Sequence, residues 1–393
     1  MHYLLIRNAR LPRPDGDDAQ TSILIADGKI ISIGNRAQHP LTDTTEIDAA
    51  GRHVVPALIS LSNPRPAYVD ADSLNNMNFE HATAGITSII TVSPNIEDNI
   101  TEMREFTTPL LNHAFHLPLN QLSLNDSKHI YRLMLREGVS TAIIRMGDER
   151  HDSLHDIAPH VTAARILGLR VLFDLRSLID RAERLELIKG LLDILAQDKG
   201  NMAYILGIEY EDELALVKSA IGCCDLAVHL SFAPFNHGKF GKLTANTITS
   251  TLRENKWCSL GLAYSATRAL KERWPDMTPE IISRNKLVLL NAIPADNMLT
   301  PYELTEFAMG RPAEFTGLRP PLGDVREGAA ANLLIWNHYM PDDARFAAPK
   351  GQIEDVAMRG KIDYVIMNGE VVVSDKFNHK AVCGKHLYSR IVK

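Results

Sequence analysis

Cysteine is scarce in this chain: Cys223, Cys224, Cys258 and Cys383 are the whole complement of 393 residues, and no C-x-x-C pair occurs. A chain this long needs no disulfide staples, so the four read as reduced thiols or core fillers, the adjacent Cys223 and Cys224 as packing. Long hydrophobic runs are also missing. No stretch approaches the roughly 18 uninterrupted apolar residues of a membrane span. The N-terminal Met1–Asn8 lacks the basic region, long apolar run and cleavage site of a signal peptide, so the expected compartment is the cytoplasm. Positive charge is not in excess: 42 Lys and Arg face 48 Asp and Glu, a net charge of −6 at pH 7. No overall basic field therefore draws the chain to nucleic acid. No short internal repeat and no low-complexity tract is present. What remains is ordinary globular composition, 45% hydrophobic and 23% charged. The length suits two or three domains, or one large barrel with an accessory piece.

The two ends of the chain read as β-structure. Leu4–Arg7 is a short strand, and Ser22–Ala26, Asp27-Gly28, Lys29–Ile33 has the form of a hairpin on a tight Asp-Gly turn. Ile47–Arg52 leads to a further strand, His53–Leu61. Near the other end, Asn332–Trp336 is a strand and Tyr364–Met367, Asn368-Gly369, Glu370–Val373 a second hairpin. Both ends together predict one small β-domain.

Between them, short β-branched runs alternate with helical patterns. The runs are Val54–Leu61, Thr87–Val92, Thr141–Arg145, Arg170–Phe173, Asp225–Leu230, Cys258–Leu262 and Leu287–Leu290. The helical patterns are Asp126–Arg136, Ile157–Leu167 before Gly168, Arg184–Gln197, and Asp212–Ile221 before Gly222. Such alternation predicts an α/β fold of the (β/α)8 TIM-barrel type. The rival, an open doubly wound sheet, is disfavoured because no G-x-G-x-x-G follows a strand. The expected division is 1–54 and 319–393 for the two parts of a β-sandwich domain, with the barrel at 55–318.

Specific segments then resemble a known family. Ile25-Ala26-Asp27-Gly28-Lys29-Ile30, Asp48-Ala49-Ala50-Gly51 and Val55-Pro56 resemble the opening of the amidohydrolase superfamily, and more closely its cyclic amidohydrolases: dihydroorotases, hydantoinases and allantoinases. Gly85–Ile90 with Pro94-Asn95 is similar to the dihydroorotase stretch G-G-x-T-T-V-V…M-P-N-T. Arg311–Leu318 resembles N-P-A-x-x-F-G-L, and Gly323–Ala329 resembles the G-x-I-x-x-G-A that returns the chain to the β-domain. The likeness runs in order from about residue 3 to 375.

Active members of that family hold one or two divalent ions in the barrel mouth, which activate water and polarise the ring amide. Here the sequence departs. Where the family has P-G-x-I-D-x-H-x-H, this chain has Pro56-Ala57-Leu58-Ile59-Ser60-Leu61-Ser62-Asn63-Pro64, so Ser62 and Pro64 replace both histidines and Ser60 the aspartate. The bridging acid falls at Met146 or Gly147, with Asp148 one residue away. In the V-x-x-H-C-E pattern Asp174 takes the place of the histidine. In H-x-x-H-x-S one histidine, His229, is kept. Ala263 stands where the catalytic aspartate of A-T-D-H-A-P belongs. One histidine with one carboxylate is not a three- or four-ligand site, and His229 reads as a hydrogen-bonded core residue.

Arg65, one residue short of the family register, and Asn95 fall near the residues with which dihydroorotases hold the substrate carboxylate, and an Arg with an Asn amide suits that task. His151 and His155 share a helical face, but among Asp148, Glu149, Asp152 and Asp156 they read as a polar helix start.

The resemblance therefore implies a non-catalytic dihydroorotase-like protein of pyrimidine biosynthesis, with no catalytic residues and no cofactor. Such homologues act as structural or regulatory partners of the aspartate carbamoyltransferase catalytic chain in homo- or hetero-oligomers. The alternative is an active zinc-dependent dihydroorotase or related cyclic amidohydrolase with substitute ligands such as Asp174, His229, His237 and Asp148. No nucleic-acid or membrane partner is expected.

Overall fold

The structure is a computed structural model. It describes residues 2–16, 18, 20–34, 43–64, 81–82, 85–92, 111–119, 125, 127–137, 139, 141–146, 154–175, 178, 180–197, 203–221, 226–231, 243, 245–261, 299–319, 321–337, 361–374, 384–385 and 388–389.

Both ends of the chain build one sheet. Strands β1 (Tyr3–Arg10), β2 (Gln20–Ala26), β3 (Lys29–Ile33), β4 (Thr44–Asp48) and β5 (His53–Pro56) join β15 (Leu333–Asn337), β16 (Lys361–Met367) and β17 (Glu370–Val373). The order is β17-β16-β15-β5-β1-β2-β3, with β4 on β1. The two predicted hairpins are present. Asp27 and Gly28 have φ of 52° and 74°, and Asn368 and Gly369 have 48° and 84°. Positive φ at both central residues is the type I′ turn that Asp-Gly and Asn-Gly favour. The turns meet: a Cβ on Gly369 would lie 3.0 Å from Ile25 Cγ2 and 3.5 Å from Gly28 Cα.

Strand alternation divides the apolar residues between two cores. Leu4, Ile6, Ile23, Ile25, Val54, Leu333, Ile335 and Ile366 form the core of the β-domain. Their neighbours Val55, Leu334, Trp336, Val365 and Met367 belong to the core of the barrel.

The predicted strand His53–Leu61 is two strands in two sheets. β5 pairs antiparallel with β15, while β6 (Leu58–Pro64) pairs parallel with β7 (Ile86–Val92). Pro56 has no N–H with which to continue a ladder, and the Ala57 N–H is taken by the Asn332 carbonyl at 2.9 Å.

Eight parallel strands follow one another in space: β6, β7, β8 (Asn112–Pro118), β9 (Thr141–Arg145), β10 (Arg170–Asp174), β11 (Ala203–Ile208), β12 (Leu226–Ser231) and β13 (Cys258–Gly261). The expected strand Leu287–Leu290 lies outside the described residues. Two strands, β8 and β11, were not anticipated. β8 reads Asn-His-Ala-Phe-His-Leu-Pro, too polar for a core strand, yet all seven residues are buried. β11 is buried throughout and so shows no alternation.

The sheet curls on itself. Ile59 and Leu61 of β6, Ile90, Ala114, Ile143, Leu172, Tyr204 and Leu206 of the strands between, and Ala227 of β12 share one interior cluster. Helices α1 (Ser127–Glu137), α2 (Leu154–Ile166), α3 (Arg181–Gln197), α4 (Glu211–Ala220) and α5 (Ala245–Glu254) alternate with the strands. A last helical stretch runs through α6 (Pro301–Thr305), a π-helical turn Glu306–Gly310 and α7 (Arg311–Thr316), ending on Gly317 at φ 62°. It leads into β14 (Leu318–Arg319), paired with β18 (Tyr388–Ser389). Phe315 and Leu318 enter the interior from the N-terminal end of the strands, where Phe315 stacks on Tyr204 with ring centroids 4.0 Å apart. The architecture is thus an α/β barrel with a β-domain built from both termini. No helix among the described residues is long and apolar enough to cross a membrane.

Two buried polar networks hold these layers in register. At the seam, Asn112 of β8 donates from Nδ2 to Asn332 Oδ1 at 3.2 Å and accepts at Oδ1 from Asn368 Nδ2 at 2.6 Å. The Asn368 N–H donates to Asn332 Oδ1 at 2.9 Å. Behind the barrel, Arg184 of α3 and Glu213 of α4 are paired through Nε–Oε1 at 2.6 Å and Nη2–Oε2 at 3.1 Å, with both side chains fully buried. The same guanidinium donates to the carbonyls of Leu175, Leu178 and Gly207. Burial opposes its charge, but the Glu213 hydrogen bonds and charge, followed by Glu209 and Tyr210, prevail and raise its pKa.

Removing one partner of such a pair leaves a buried charge alone. Arg184→Met should therefore lower unfolding stability by about 3–5 kcal/mol, and Arg184→Met with Glu213→Leu should recover part of the loss. Urea unfolding of the three proteins checks this; a single variant as stable as the parent would contradict it.

Candidate functional site at the barrel mouth

In a parallel barrel the strands' C-terminal ends carry the side chains available for chemistry. The register fixes which residues meet there. Arg145, Asp174, Leu206, His229 and Ser259 are successive partners across β9, β10, β11, β12 and β13. Arg145 and Asp174 lie two residues beyond Ile143 and Leu172 of the interior cluster, and so on the same inward face. Arg145 Nε is 4.0 Å from Asp174 Oδ2, the arginine side chain 23% exposed and the aspartate 6%.

One strand earlier, His116 of β8 occupies the interior. Its Nε2 is 2.6 Å from the Leu61 carbonyl oxygen and its Nδ1 2.5 Å from Thr141 Oγ1. A carbonyl only accepts, so Nε2 carries the proton and Nδ1 accepts from the threonine hydroxyl. Complete burial pushes the imidazole pKa down to about 4. The Leu61 bond raises it, the Arg145 charge lowers it and the Asp174 charge raises it. His116 is therefore neutral at pH 7.

In the same row as Arg145 and Asp174, Ser259 is hydrogen-bonded to Tyr204 through their hydroxyls, and burial raises the phenol pKa. Burial likewise raises the thiol pKa of Cys258, in keeping with a core filler.

Of the residues singled out from sequence, Asp174 sits at the mouth with Arg145 as partner. His229 stands two strands from Asp174, with Leu206 between, so the two backbones are separated by about 10 Å. Met146, at the bridging-acid position, is a buried apolar residue. Ser60, Ser62 and Pro64 lie on β6, and the side chains of Ser62, Pro64, His229 and His155 are outside the description, as are Arg65, Asn95, Gly147, Asp148, His151, His237, Ala263, Cys223, Cys224 and Cys383. Sequence reasoning missed His116 and Arg145. Arg145 ends a predicted strand, two residues past an inward isoleucine, which was a usable signal; His116 had none, because its strand went unrecognised.

The implied divalent ion can be tested against these donors. Both His116 nitrogens are committed to protein partners, Asp174 faces a guanidinium, and proline offers no lone pair. Among the described residues no group of three or more His, Cys, Asp or Glu is placed to hold a metal. These residues do not fit a divalent ion.

A cavity of about 670 Å³ opens at the opposite end, between the barrel foot and the β-domain. Its arginines are tied to the fold. Arg170 donates to the carbonyls of Glu314 and Phe315, Arg311 to those of Leu252, Asn255 and Cys258, and Arg326 pairs with Asp324 at 2.9 Å. The mouth is the better site.

The barrel with its two-ended β-domain is a fold shared with solved structures of low sequence identity. No family model matches the chain, and no curated protein does. Among solved structures it is similar to dihydropyrimidinase from Brevibacillus agri (TM-score 0.73, 16% identity, 98% of each chain covered). D-hydantoinase from Thermus sp. is also similar (0.71, 15%, 97% of this chain and 98% of that one), as is beta-aspartyl dipeptidase from Fervidobacterium islandicum (0.61, 14%, 96% and 99%).

The low pKa of His116 makes stability pH-dependent. As pH falls, the unfolded chain takes up the proton near 6.5 and the folded chain only near 4. The stability from the neutral buried ring is therefore complete above about pH 6.5 and lost as pH falls to about 4, a difference on the order of 3 kcal/mol. His116→Asn should flatten that part of the curve. Urea unfolding at several pH values across the window tests this, and an unaltered slope in the variant would count against it.

Proposed function

We propose that this chain is a non-catalytic dihydroorotase-like protein. In this reading it serves pyrimidine biosynthesis in the cytoplasm as a structural or regulatory partner of the aspartate carbamoyltransferase catalytic chain, within a homo- or hetero-oligomer. The observation that carries the loss of catalysis is the Arg145–Asp174 pair: a fixed cation faces the residue standing where the family's histidine ligand belongs. The replacement of H-x-H by Ser62 and Pro64 supports it from sequence. The partner rests on the resemblance alone.

A second reading is favoured by the structural likeness to a dihydropyrimidinase and a D-hydantoinase. Under it the chain hydrolyses a cyclic amide, using zinc held by ligands outside the described residues together with His229 or Asp174.

Two measurements separate the readings. Co-expressed with aspartate carbamoyltransferase, the chain should elute with it as one complex at micromolar concentration; separate elution sinks the partner assignment. Purified alone, it should turn over neither dihydroorotate nor hydantoin with added zinc, whereas zinc-dependent turnover of either would establish the second reading.

A further inference from the structure

We propose that His116, Arg145 and Asp174 form a metal-free clasp that ties together three of the barrel strands, β6, β9 and β10, which a metal centre ties together in active amidohydrolases. The proposal rests on the reading that the metal positions are lost, and adds what replaces them.

In the family that this chain resembles, the ion joins the end of the first barrel strand to acids and histidines of later strands. Two of those ties, from β6 to β9 and from β9 to β10, have counterparts here made by protein groups alone; none of these contacts reaches β12, where His229 stands. The first strand, β6, is held at the Leu61 carbonyl by the His116 Nε2–H, 2.6 Å away, and Leu61 directly precedes Ser62, the first lost histidine position. β7 lies between β6 and β8, so this bond crosses the interior rather than running along a ladder. His116 also holds β9, by accepting from Thr141 Oγ1 at 2.5 Å. Four residues along the same strand, Arg145 reaches β10 at Asp174. The His116 bonds and the Arg145–Asp174 pair, joined through the backbone of β9, thus link β6, β8, β9 and β10.

The chemistry of the parts suits the role. Asp174 is a nearly buried carboxylate and requires a nearby positive charge. In a metal centre the ion supplies it. A guanidinium supplies it without dependence on ion supply or on ligand deprotonation. Its charge also repels a divalent ion from the same carboxylate, so clasp and ion are mutually exclusive.

The test uses the full-length chain. The thermal unfolding midpoint of the parent should be unchanged by EDTA and by zinc chloride, and the dialysed protein should carry no stoichiometric zinc. Arg145→Gln, Asp174→Asn and the double variant should show coupling: the double variant loses at least fivefold less in its folding constant than the product of the single losses. Arg145→Lys, which keeps the charge, should lose less than Arg145→Gln. A midpoint that falls with EDTA, bound zinc at one equivalent, or additive single losses would each overturn the clasp. If a single variant does not fold, the EDTA and zinc measurements on the parent still decide. Additive losses without bound zinc would overturn the clasp and leave the non-catalytic reading standing, whereas zinc-dependent turnover would remove both.

Discussion

The interior of a small parallel barrel is a closed volume that side chains must fill, and every polar group placed there must find its partner inside. Much of this structure follows from that constraint. At the foot the volume is filled by shape: Tyr204 and Phe315 stack, with Ile143 and Leu172 around them. Toward the mouth the filling turns polar, and satisfaction replaces shape. His116 can be buried because its two nitrogens find a carbonyl and a hydroxyl of opposite character. Burial then keeps it neutral, and its neutrality keeps the net charge of the interior to that of Arg145 and Asp174.

The same accounting governs the seam between barrel and β-domain. A domain assembled from residues 250 or more positions apart cannot rely on chain connectivity to set its position. Apolar contact fixes little orientation, because it is not directional. The asparagine network does: Asn112, Asn332 and Asn368 come from a barrel strand, the approach to β15 and a hairpin turn, and three directional hydrogen bonds join them, with Asn332 Nδ2 left without a partner among the described residues. The Gly28–Gly369 approach adds a steric condition, since neither turn leaves room for a side chain at the contact. Trp336 and Val365, facing the barrel core from the β-domain, supply the adhesion that this geometry directs.

The fold was legible in the sequence where local chemistry is unambiguous. Asp27-Gly28 and Asn368-Gly369 could be read as hairpins because few other dipeptides adopt positive φ twice, and the helix ending at Ile166 because Gly168 follows it. β8 was not legible, since its Asn112, His113 and His116 become tolerable in a core only through partners far away in sequence. β11 failed for the opposite reason: a uniformly buried strand has no period. At the site, sequence showed departures from the resembled ligand pattern at Ser62 and Pro64. It could not show the polar groups that meet in the barrel, because Arg145 and His116 acquire meaning only from strand register and from a bond across the barrel.

Replacing a buried ion pair by apolar groups is often neutral or stabilising, so the presence of Arg145 and Asp174 asks for a reason. The arginine is only three-quarters covered. At a partly exposed position an apolar replacement would leave hydrocarbon facing solvent, while a guanidinium can keep its head hydrated. The partly wet position also lessens the desolvation penalty that weighs on deeper pairs such as Arg184 and Glu213, whose charges need five further hydrogen bonds to be sustained. The pair thus keeps these strand ends polar at modest cost in stability. An arginine–aspartate pair can in this way cap the interior cluster without refilling these strand ends with apolar side chains.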